Sequence, residues 1–425
     1  MTLLISVLAV VLVGRADAVL PTDTITTFAK SSEAHGVYTS VAKFGPDFMI
    51  MSRLAGPMWV MRNGATETAA GSVGYSAGGA AASSIVVDWA RGYVYYVPTG
   101  KHSVVRVAID KTDPGAPKLK TTAVTTGSAT TSGFAGDGEA GADVRFNSPR
   151  GLALGSDGTV YVADMKNNRV RFISPTGVVE TFAGSGSAGS SGDGGQATSA
   201  RLELPTVVAV APDNNVLINS NAGATFFSQR FRKVAPNGVI TSITPACGTS
   251  CRRLRGMTFD ATGAAYLSLP HRIFKYSGGN FSSLTSLVNY SGDVGAYGGD
   301  GGEIASARLD SPGALAVDQV GSLYILSNGR VRKVRNYPPR AALSCSPMQG
   351  NAPLAITCAP TAGTFDPNGS IISYGWNFGT RLGTTTVKRV QQTHTYDTAG
   401  AKVVKLTVTD DAGVRATAEV TITVR

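Results

Sequence analysis

Three aspartates recur in a Gly-Asp-Gly context, and an arginine follows each of them a few residues later. The aspartates are spaced 56 and then 107 residues apart, so the second interval is close to twice the first. Carboxylates and guanidinium groups at a repeated surface position could bind a charged ligand. The residues concerned are Asp137, Asp193 and Asp300, with Arg145, Arg201 and Arg308 after them.

The segments that follow these aspartates match one another. Each runs from an Asp-Gly loop through an arginine and a hydrophobic residue into an apolar stretch led by proline, at 136–154, 192–210 and 299–317. A long-range match at regular intervals is typical of one supersecondary unit copied along the chain. We call each Asp-Gly loop, up to its Arg-hydrophobic step, a cassette.

The unit that follows the first cassette predicts four short strands at 151–154, 160–163, 169–173 and 178–182, each bounded by Gly, Pro, Asn or Asp. This is the pattern of an antiparallel meander. The chain has 51 glycines and only 16% charged residues, which also favours an all-β protein with many turns.

Six copies of the unit can be traced, the weakest at 36–70. The last copy lacks its fourth strand, because two prolines follow at 338–339 and cannot continue a ladder. Residues 24–29 (TITTFA) resemble the fourth strand of the third copy at 178–183 (VVETFA). We therefore expect the N-terminal segment to complete the last copy and close a ring.

The segment ADMKNNRVRFISPTGVVETFAG at 163–184 resembles the NHL-repeat family, and the resemblance extends over about 22–335. It implies a six-bladed β-propeller. The motif is specific for the fold and says little about function.

From residue 336 the pattern changes to long alternating strands, and 336–425 predicts an Ig-like β-sandwich. The motifs FDPNG at 365–369 and YGWNFG at 374–379 resemble the PKD domain, with Trp376 as the core tryptophan. Some PKD relatives bind calcium through carboxylates. Asn377 and Thr380 stand here where the family has acids, so calcium at Asp366 is only a weak expectation.

Residues 3–14 are apolar and precede Ala16-Asp17-Ala18, which predicts a signal peptide at 1–18 and a secreted protein without a membrane span. An oxidising compartment permits disulfides, and the four cysteines form two close pairs. The alternative, a zinc site, lacks a second CxxC-type pair. The expected disulfides are Cys247 with Cys251 in the fifth copy's cassette, and Cys345 with Cys358 in the sandwich.

The cassettes and the loops between the second and third strands should project from one rim, which would also display Lys101 and Lys166. Two readings are open. The aspartates and arginines could bind a ligand, or they could serve only turns and packing, which repetition favours. The third strands carry further arginines, among them Arg171, Arg232 and Arg332, and predict a solvated basic surface.

The net charge of +10 favours an acidic extracellular protein or an anionic glycan as partner, and export argues against nucleic acid. With four histidines scattered along the chain, and no GxSxG, HExxH or Walker motif, the sequence predicts no metal or other cofactor. We expect a non-catalytic binding or adhesion protein with the sandwich as spacer or second contact. The alternative is an exported lyase or hydrolase with its site in the propeller funnel.

Overall fold

The structure is a computed structural model and is built from β-strands and short turns. The residues that it describes are 25–30, 38–43, 48–53, 58–62, 82–113, 117–221, 229–243, 254–269, 272–276, 284–288, 307–309, 312–318, 321–327, 330–334, 338–366, 371–379, 385–387, 391–410 and 413–425.

Six of the sheets are antiparallel blades in chain order. The strands of blades one to three are β2 (Tyr38–Lys43), β3 (Phe48–Arg53), β4 (Trp59–Arg62); β5 (Ala82–Asp88), β6 (Tyr93–Pro98), β7 (His102–Asp110), β8 (Lys118–Ser128); and β9 (Glu139–Ala140), β10 (Pro149–Leu154), β11 (Val160–Asp164), β12 (Arg169–Ile173), β13 (Val178–Ala183).

The strands of blades four to six are β14 (Val207–Val210), β15 (Val216–Asn221), β16 (Gln229–Val234), β17 (Ile240–Ile243); β18 (Gly256–Phe259), β19 (Ala265–Leu269), β20 (Arg272–Tyr276), β21 (Leu284–Val288); and β22 (Pro312–Val317), β23 (Leu323–Ser327), β24 (Arg330–Val334), with β1 (Ile25–Lys30). Short 3-10 turns occur at Gly141–Asp143, Met165–Asn167 and Ala197–Ser199.

The first strand of each blade is innermost, and these strands contact one another around a closed ring in the order β2, β5, β10, β14, β18, β22 and back to β2. Apolar side chains seal each junction between neighbouring blades. At the last junction, Met49 and Met51 of blade one pack with Tyr324 and Leu326 of blade six. The six-bladed propeller expected from the repeats is therefore present.

The expected closure by the N-terminal segment is confirmed. Strand β1 pairs antiparallel with β24, with Ile25 opposite Val334 and Lys30 opposite Arg330. Blade six thus takes its outer strand from the other end of the repeat region, which ties the first described residues to the last blade. The fourth strand expected for the copy at 36–70 lies outside the described residues.

The C-terminal residues form two sheets, one of three strands and one of five, as a β-sandwich requires. Their strands are β25 (Leu343–Ser346), β26 (Gln349–Gly350), β27 (Leu354–Pro360), β28 (Ile371–Asn377), β29 (Thr385–Val387), β30 (Gln392–Tyr396), β31 (Gly400–Asp410) and β32 (Arg415–Val424).

Trp376 is fully buried at the centre of the sandwich core, as expected. The expected Cys345–Cys358 disulfide is present and joins the paired strands β25 and β27. Cys247 and Cys251 lie outside the described residues, so their pairing stays a prediction.

The sandwich touches the propeller at a turn. A Cβ placed on Gly413, in the turn between β31 and β32, would lie 2.9 Å from the Cβ of Ala261, in the turn between β18 and β19. That propeller turn follows the innermost strand, at the opposite end from the cassettes, which lead into it. Within the described part of the chain no helix is long and apolar enough to cross a membrane.

The closure makes a testable prediction. Replacing both Thr26 and Thr27 by proline removes backbone donors from the β1–β24 ladder and should lower the free energy of unfolding by about 3 kcal/mol or more. Thermal unfolding of this variant and of its alanine counterpart, Thr26→Ala/Thr27→Ala, measures the effect. Equal melting temperatures for the two variants would show that β1 does not hold the ring closed.

Candidate functional site

The third strand of blade three contains a fully buried arginine, Arg171, whose guanidinium is held by the first cassette. Its Nε and Nη2 donate to Oδ1 of Asp137 at 3.0 and 2.6 Å. Its Nη1 donates to the carbonyl of Arg145 at 2.9 Å, and Nη2 also donates to the carbonyl of Ala135 at 3.0 Å. The cassette is therefore wrapped around one buried cation.

Blade four repeats this arrangement with a second fully buried arginine, Arg232. Its Nη2 donates to Oδ1 of Asp193 at 2.8 Å, and its Nη1 donates to the carbonyl of Arg201 at 3.0 Å.

In blade six, Arg332 is also fully buried, and its Nη1 donates to the carbonyl of Arg308 at 2.9 Å. Asp300, the aspartate of that cassette, lies outside the described residues.

The first glycine of the cassette is required by the same geometry. Gly136 and Gly192 have φ angles of 78° and 99°, in the left-handed region that favours glycine. A Cβ on either residue would lie 2.7 Å from a backbone Cα, that of Val144 or Ala200. The Gly-Asp turn can therefore close onto the Arg-hydrophobic step only when this position has no side chain.

The carboxylates of Asp137 and Asp193, which were expected on the rim, form ion pairs with the buried arginines. Asp137 is 37% exposed and Asp193 45% exposed, yet each forms an ion pair with a buried guanidinium. Asp137 also accepts from the hydroxyl of Thr181 at 2.6 Å. These are packing contacts, and a ligand-binding role for the aspartates stays a prediction.

The expectation that Arg171, Arg232 and Arg332 form part of a solvated basic surface was wrong. All three are fully buried. Arg171 lies between the rings of Phe134 and Phe146, each 5.2 Å from its guanidinium carbon. The cassette covers the face of the strand that a single sheet would leave in solvent.

The cassette arginines, in contrast, contact the buried guanidinium groups through their backbone carbonyls. The next residue along the chain is fully buried in each cassette, and the arginine side chain therefore points away from the core. Arg201 and Arg308 are exposed, and Arg145 is partly buried with its guanidinium on the carbonyls of Ala142 and Val144. The buried neighbours are Phe146, Leu202 and Leu309.

A central cavity of about 950 Å³ runs along the ring axis, lined by the innermost strands of all six blades. Of the eight rim residues expected from the sequence, the cavity lining includes Lys166 alone among those that the structure describes. Lys101 is exposed after β6. Three further cations line the cavity, and none was expected as a site residue. Lys43 is the last residue of β2, at the end away from the cassettes. Arg150 and Arg255 each precede a glycine at the start of an innermost strand, in RGLAL and RGMTF.

The buried carboxylate of Asp164 links two loops on the cassette side of blade three. Asp164 accepts from the backbone N–H of Asn147 and from Nδ2 of Asn167, both at 2.7 Å. Burial raises the pKa of Asp164 to about 6, although these hydrogen bonds and the charges of Arg171 and Arg169 act in the opposite direction. Asn147 leads into β10, and Asn167 belongs to the turn that carries Lys166.

Among the described residues there is no group of three or more His, Cys, Asp or Glu side chains placed to hold a metal ion. His102 accepts from the backbone N–H of Ser148 through Nδ1 at 3.0 Å, and His394 stacks on Phe378 in the sandwich.

Two family matches agree with these two folded units. Residues 146–171 match the NHL repeat, and residues 351–424 match the PKD domain. The propeller thus contains an NHL repeat, and a PKD domain follows it. Mouse Teneurin-1 is 25% identical over 225 residues, which are 46% of this chain and 8% of that protein. The chain therefore spans less than a tenth of that relative's length.

Two solved structures are similar to parts of this chain. A protein of unknown function from Bacteroides thetaiotaomicron superimposes with a TM-score of 0.50 at 14% identity, over 73% of this chain and 75% of the other. The PKD1 domain of the Vibrio cholerae metalloprotease PrtV is 34% identical over 21% of this chain and 98% of its own, with a TM-score of 0.18.

The ion pair in blade four makes a testable prediction. Asp193→Ala leaves the buried guanidinium of Arg232 without its carboxylate, and should lower the free energy of unfolding by about 1–3 kcal/mol, less than for a fully buried pair because water reaches Asp193. Urea unfolding measures it. Glu180→Ala, which removes an exposed carboxylate from β13, is the control and should change little. Equal losses for both variants would contradict the pairing argument.

Asp164 predicts a pH dependence. Its pKa is about 6 in the folded protein and ordinarily 3.8, so the folded state holds the proton more tightly. The contribution of Asp164 to stability is therefore greatest below pH 3.8 and is lost as the pH rises through 6, at about 1.4 kcal/mol per pKa unit.

Urea unfolding of the wild type and of Asp164→Asn from pH 3.5 to 7.5 measures this contribution, because the other titrating groups cancel in the difference. The difference in unfolding free energy, wild type minus variant, should fall across this range. A flat difference would show that burial does not raise the pKa of Asp164.

Proposed function

We propose that this chain is an exported, non-catalytic binding or adhesion protein. The propeller rim that carries the cassettes contacts an acidic extracellular protein or an anionic glycan, and the PKD domain serves as a spacer or second contact. The residues proposed to meet the ligand are the cassette arginines Arg145, Arg201 and Arg308, with Lys101 and Lys166 beside them.

One observation carries this proposal: the cassette aspartate and the buried arginine neutralise each other. In blades three and four the described contacts pair Asp137 with Arg171 and Asp193 with Arg232. In the cassette of blade four Arg201 is then the charge that remains, whereas the cassette of blade three also carries the exposed acids Glu139 and Asp143. The outward face of the blade-four cassette is therefore positive, which attracts acidic partners.

Packing does not explain why this residue is an arginine. The buried guanidinium binds the backbone carbonyl of Arg201, and any residue supplies a carbonyl. The same holds for Arg308. The exposed side chains of Arg201 and Arg308, which these contacts do not use, are available for binding.

The position of the sandwich also favours the cassette rim as the binding surface. Its Gly413 turn meets the Ala261 turn at the far end of the innermost strands, so the cassette rim is not covered by that contact. We place the leader at 1–18, the propeller at 22–335 and the PKD domain at 336–425. The similarity to teneurins and to PKD domains agrees with an extracellular role for both units.

The test removes two exposed cassette charges. Arg201→Ala/Arg308→Ala should lower the affinity for heparin, used as a polyanion probe, about tenfold at fixed ionic strength, because each exposed ion pair contributes up to about 1 kcal/mol. Surface plasmon resonance measures the affinity, and thermal unfolding checks the fold.

The matched control is Lys120→Ala/Arg415→Ala, which lowers the net charge equally by removing exposed cations from β8 and from the sandwich. It should bind heparin nearly as the wild type does. Unchanged binding in the folded cassette variant would remove the rim from the proposal.

A further inference from the structure

Each innermost strand has one equivalent position near its start, on the cassette side of the central cavity. In blade three this is Arg150, two residues before Leu152, which lies opposite Val162 of the second strand. The strand registers place these equivalents in blades one to six: Thr39, Ser83, Arg150, Thr206, Arg255 and Gly313. Three of the six are serine or threonine, one is glycine, and the two arginines stand in blades three and five.

Three cations meet at the mouth of the cavity on this side. Arg150 and Arg255 come from the ring position just described, and Lys166 comes from the turn between β11 and β12 of blade three. All three are exposed, and none forms an ion pair with another described residue. The described residues that line the cavity include no Asp or Glu. The mouth is therefore positive without a compensating carboxylate in its wall.

Behind the mouth most of the lining residues are apolar. Valine, leucine, isoleucine, alanine and methionine side chains line the cavity along the innermost strands, among them Ile85, Leu152, Val208, Met257 and Leu315. A volume of about 950 Å³ is in the range of cavities that bind small molecules. Such a wall gains free energy by covering an apolar surface.

From this arrangement we infer that the central cavity is a binding site for a small amphiphilic anion. A carboxylate or sulfonate head binds Arg150, Arg255 and Lys166 at the mouth, and an apolar body extends into the cavity. Arginine suits this head group because its planar guanidinium donates two parallel hydrogen bonds to one oxyanion. The site does not use the cassette arginines and shares only Lys166 with the proposed rim, so variants of Arg150 and Arg255 test it separately from variants of Arg201 and Arg308.

Hydrogen bonds within blade three link the backbone segments that carry two of these cations, Arg150 and Lys166. Asp164 binds the backbone of Asn147 and the side chain of Asn167, and the backbone N–H of Lys166 donates to the carbonyl of Asn147 at 3.0 Å. The loop that leads to Arg150 and the turn that carries Lys166 are therefore tied together. The two cations keep their relative position without a ligand, which reduces the ordering cost of binding.

The test uses the full chain and three probes that separate the head from the body. The fluorescent anion 8-anilinonaphthalene-1-sulfonate has both, N-phenyl-1-naphthylamine has the same aromatic body without the sulfonate, and inorganic sulfate is an anion without a body. We expect the anilinonaphthalene sulfonate to bind one molecule per chain, and more tightly than either of the other probes.

Arg150→Gln/Arg255→Gln should weaken binding of the sulfonate about 10- to 100-fold, which corresponds to losing charge-assisted hydrogen bonds to one head group. Binding of the neutral naphthylamine should not change. Arg201→Gln/Arg308→Gln is the matched control, since it removes the same charge from the cassettes, and it should keep wild-type affinity for the sulfonate.

The inference fails if the wild type does not bind the sulfonate, if the mouth variant binds it as tightly as the wild type, or if the neutral probe binds equally well. It also fails if the cassette variant loses the sulfonate to the same extent. Heparin binding measured on the same three proteins should fall in the cassette variant, so failure at one site is distinguishable from failure at the other.

Discussion

The structure of the repeat depends on a guanidinium group placed inside a β-blade. A fully buried charge is costly unless hydrogen-bond acceptors and a counter-charge surround it. Arg171 obtains these from one short segment, because the carbonyls of Ala135 and Arg145 and the carboxylate of Asp137 all belong to the cassette. The loop between two blades is thereby fixed to the third strand of the blade that it enters, and the Gly-Asp-Gly turn exists to make that contact.

Comparing the blades of this chain shows how the buried arginine and the cassette aspartate occur together. The strand registers make Arg171, Arg232 and Arg332 equivalent, and each belongs to a blade preceded by a Gly-Asp-Gly cassette. In blade five the equivalent residue is Phe274, which is buried in an apolar cluster. The segment before that blade is ACGTSC at 246–251 and has no aspartate. Where the buried cation is absent, its counter-ion is absent too.

Periodicity predicted most of the fold. The strands of blade three, the closing strand at 24–29 and the Cys345–Cys358 staple follow from turn residues, alternation and internal matches, which are local signals. The burial of Arg171 could not be predicted from local sequence signals. Its strand, RVRFI, has the alternation of an exposed strand, and Arg171 is covered only when the cassette folds over that strand. The mouth was missed for a related reason: Arg150 and Arg255 are 105 residues apart, and only ring closure brings them to one opening.

A ring of similar blades offers a ligand six similar positions, so recognition depends on where the copies differ. The cassette arginines repeat, and their charges are spread around a wide rim, which suits a large polyanion more than a small molecule. The mouth positions do not repeat: Arg150 and Arg255 replace the serine, threonine or glycine of the other blades. Because the innermost strands converge on the axis, charges there act on one small volume. Divergence at the narrowest part of a symmetric fold is therefore the most economical way for a repeat protein to acquire a single defined site.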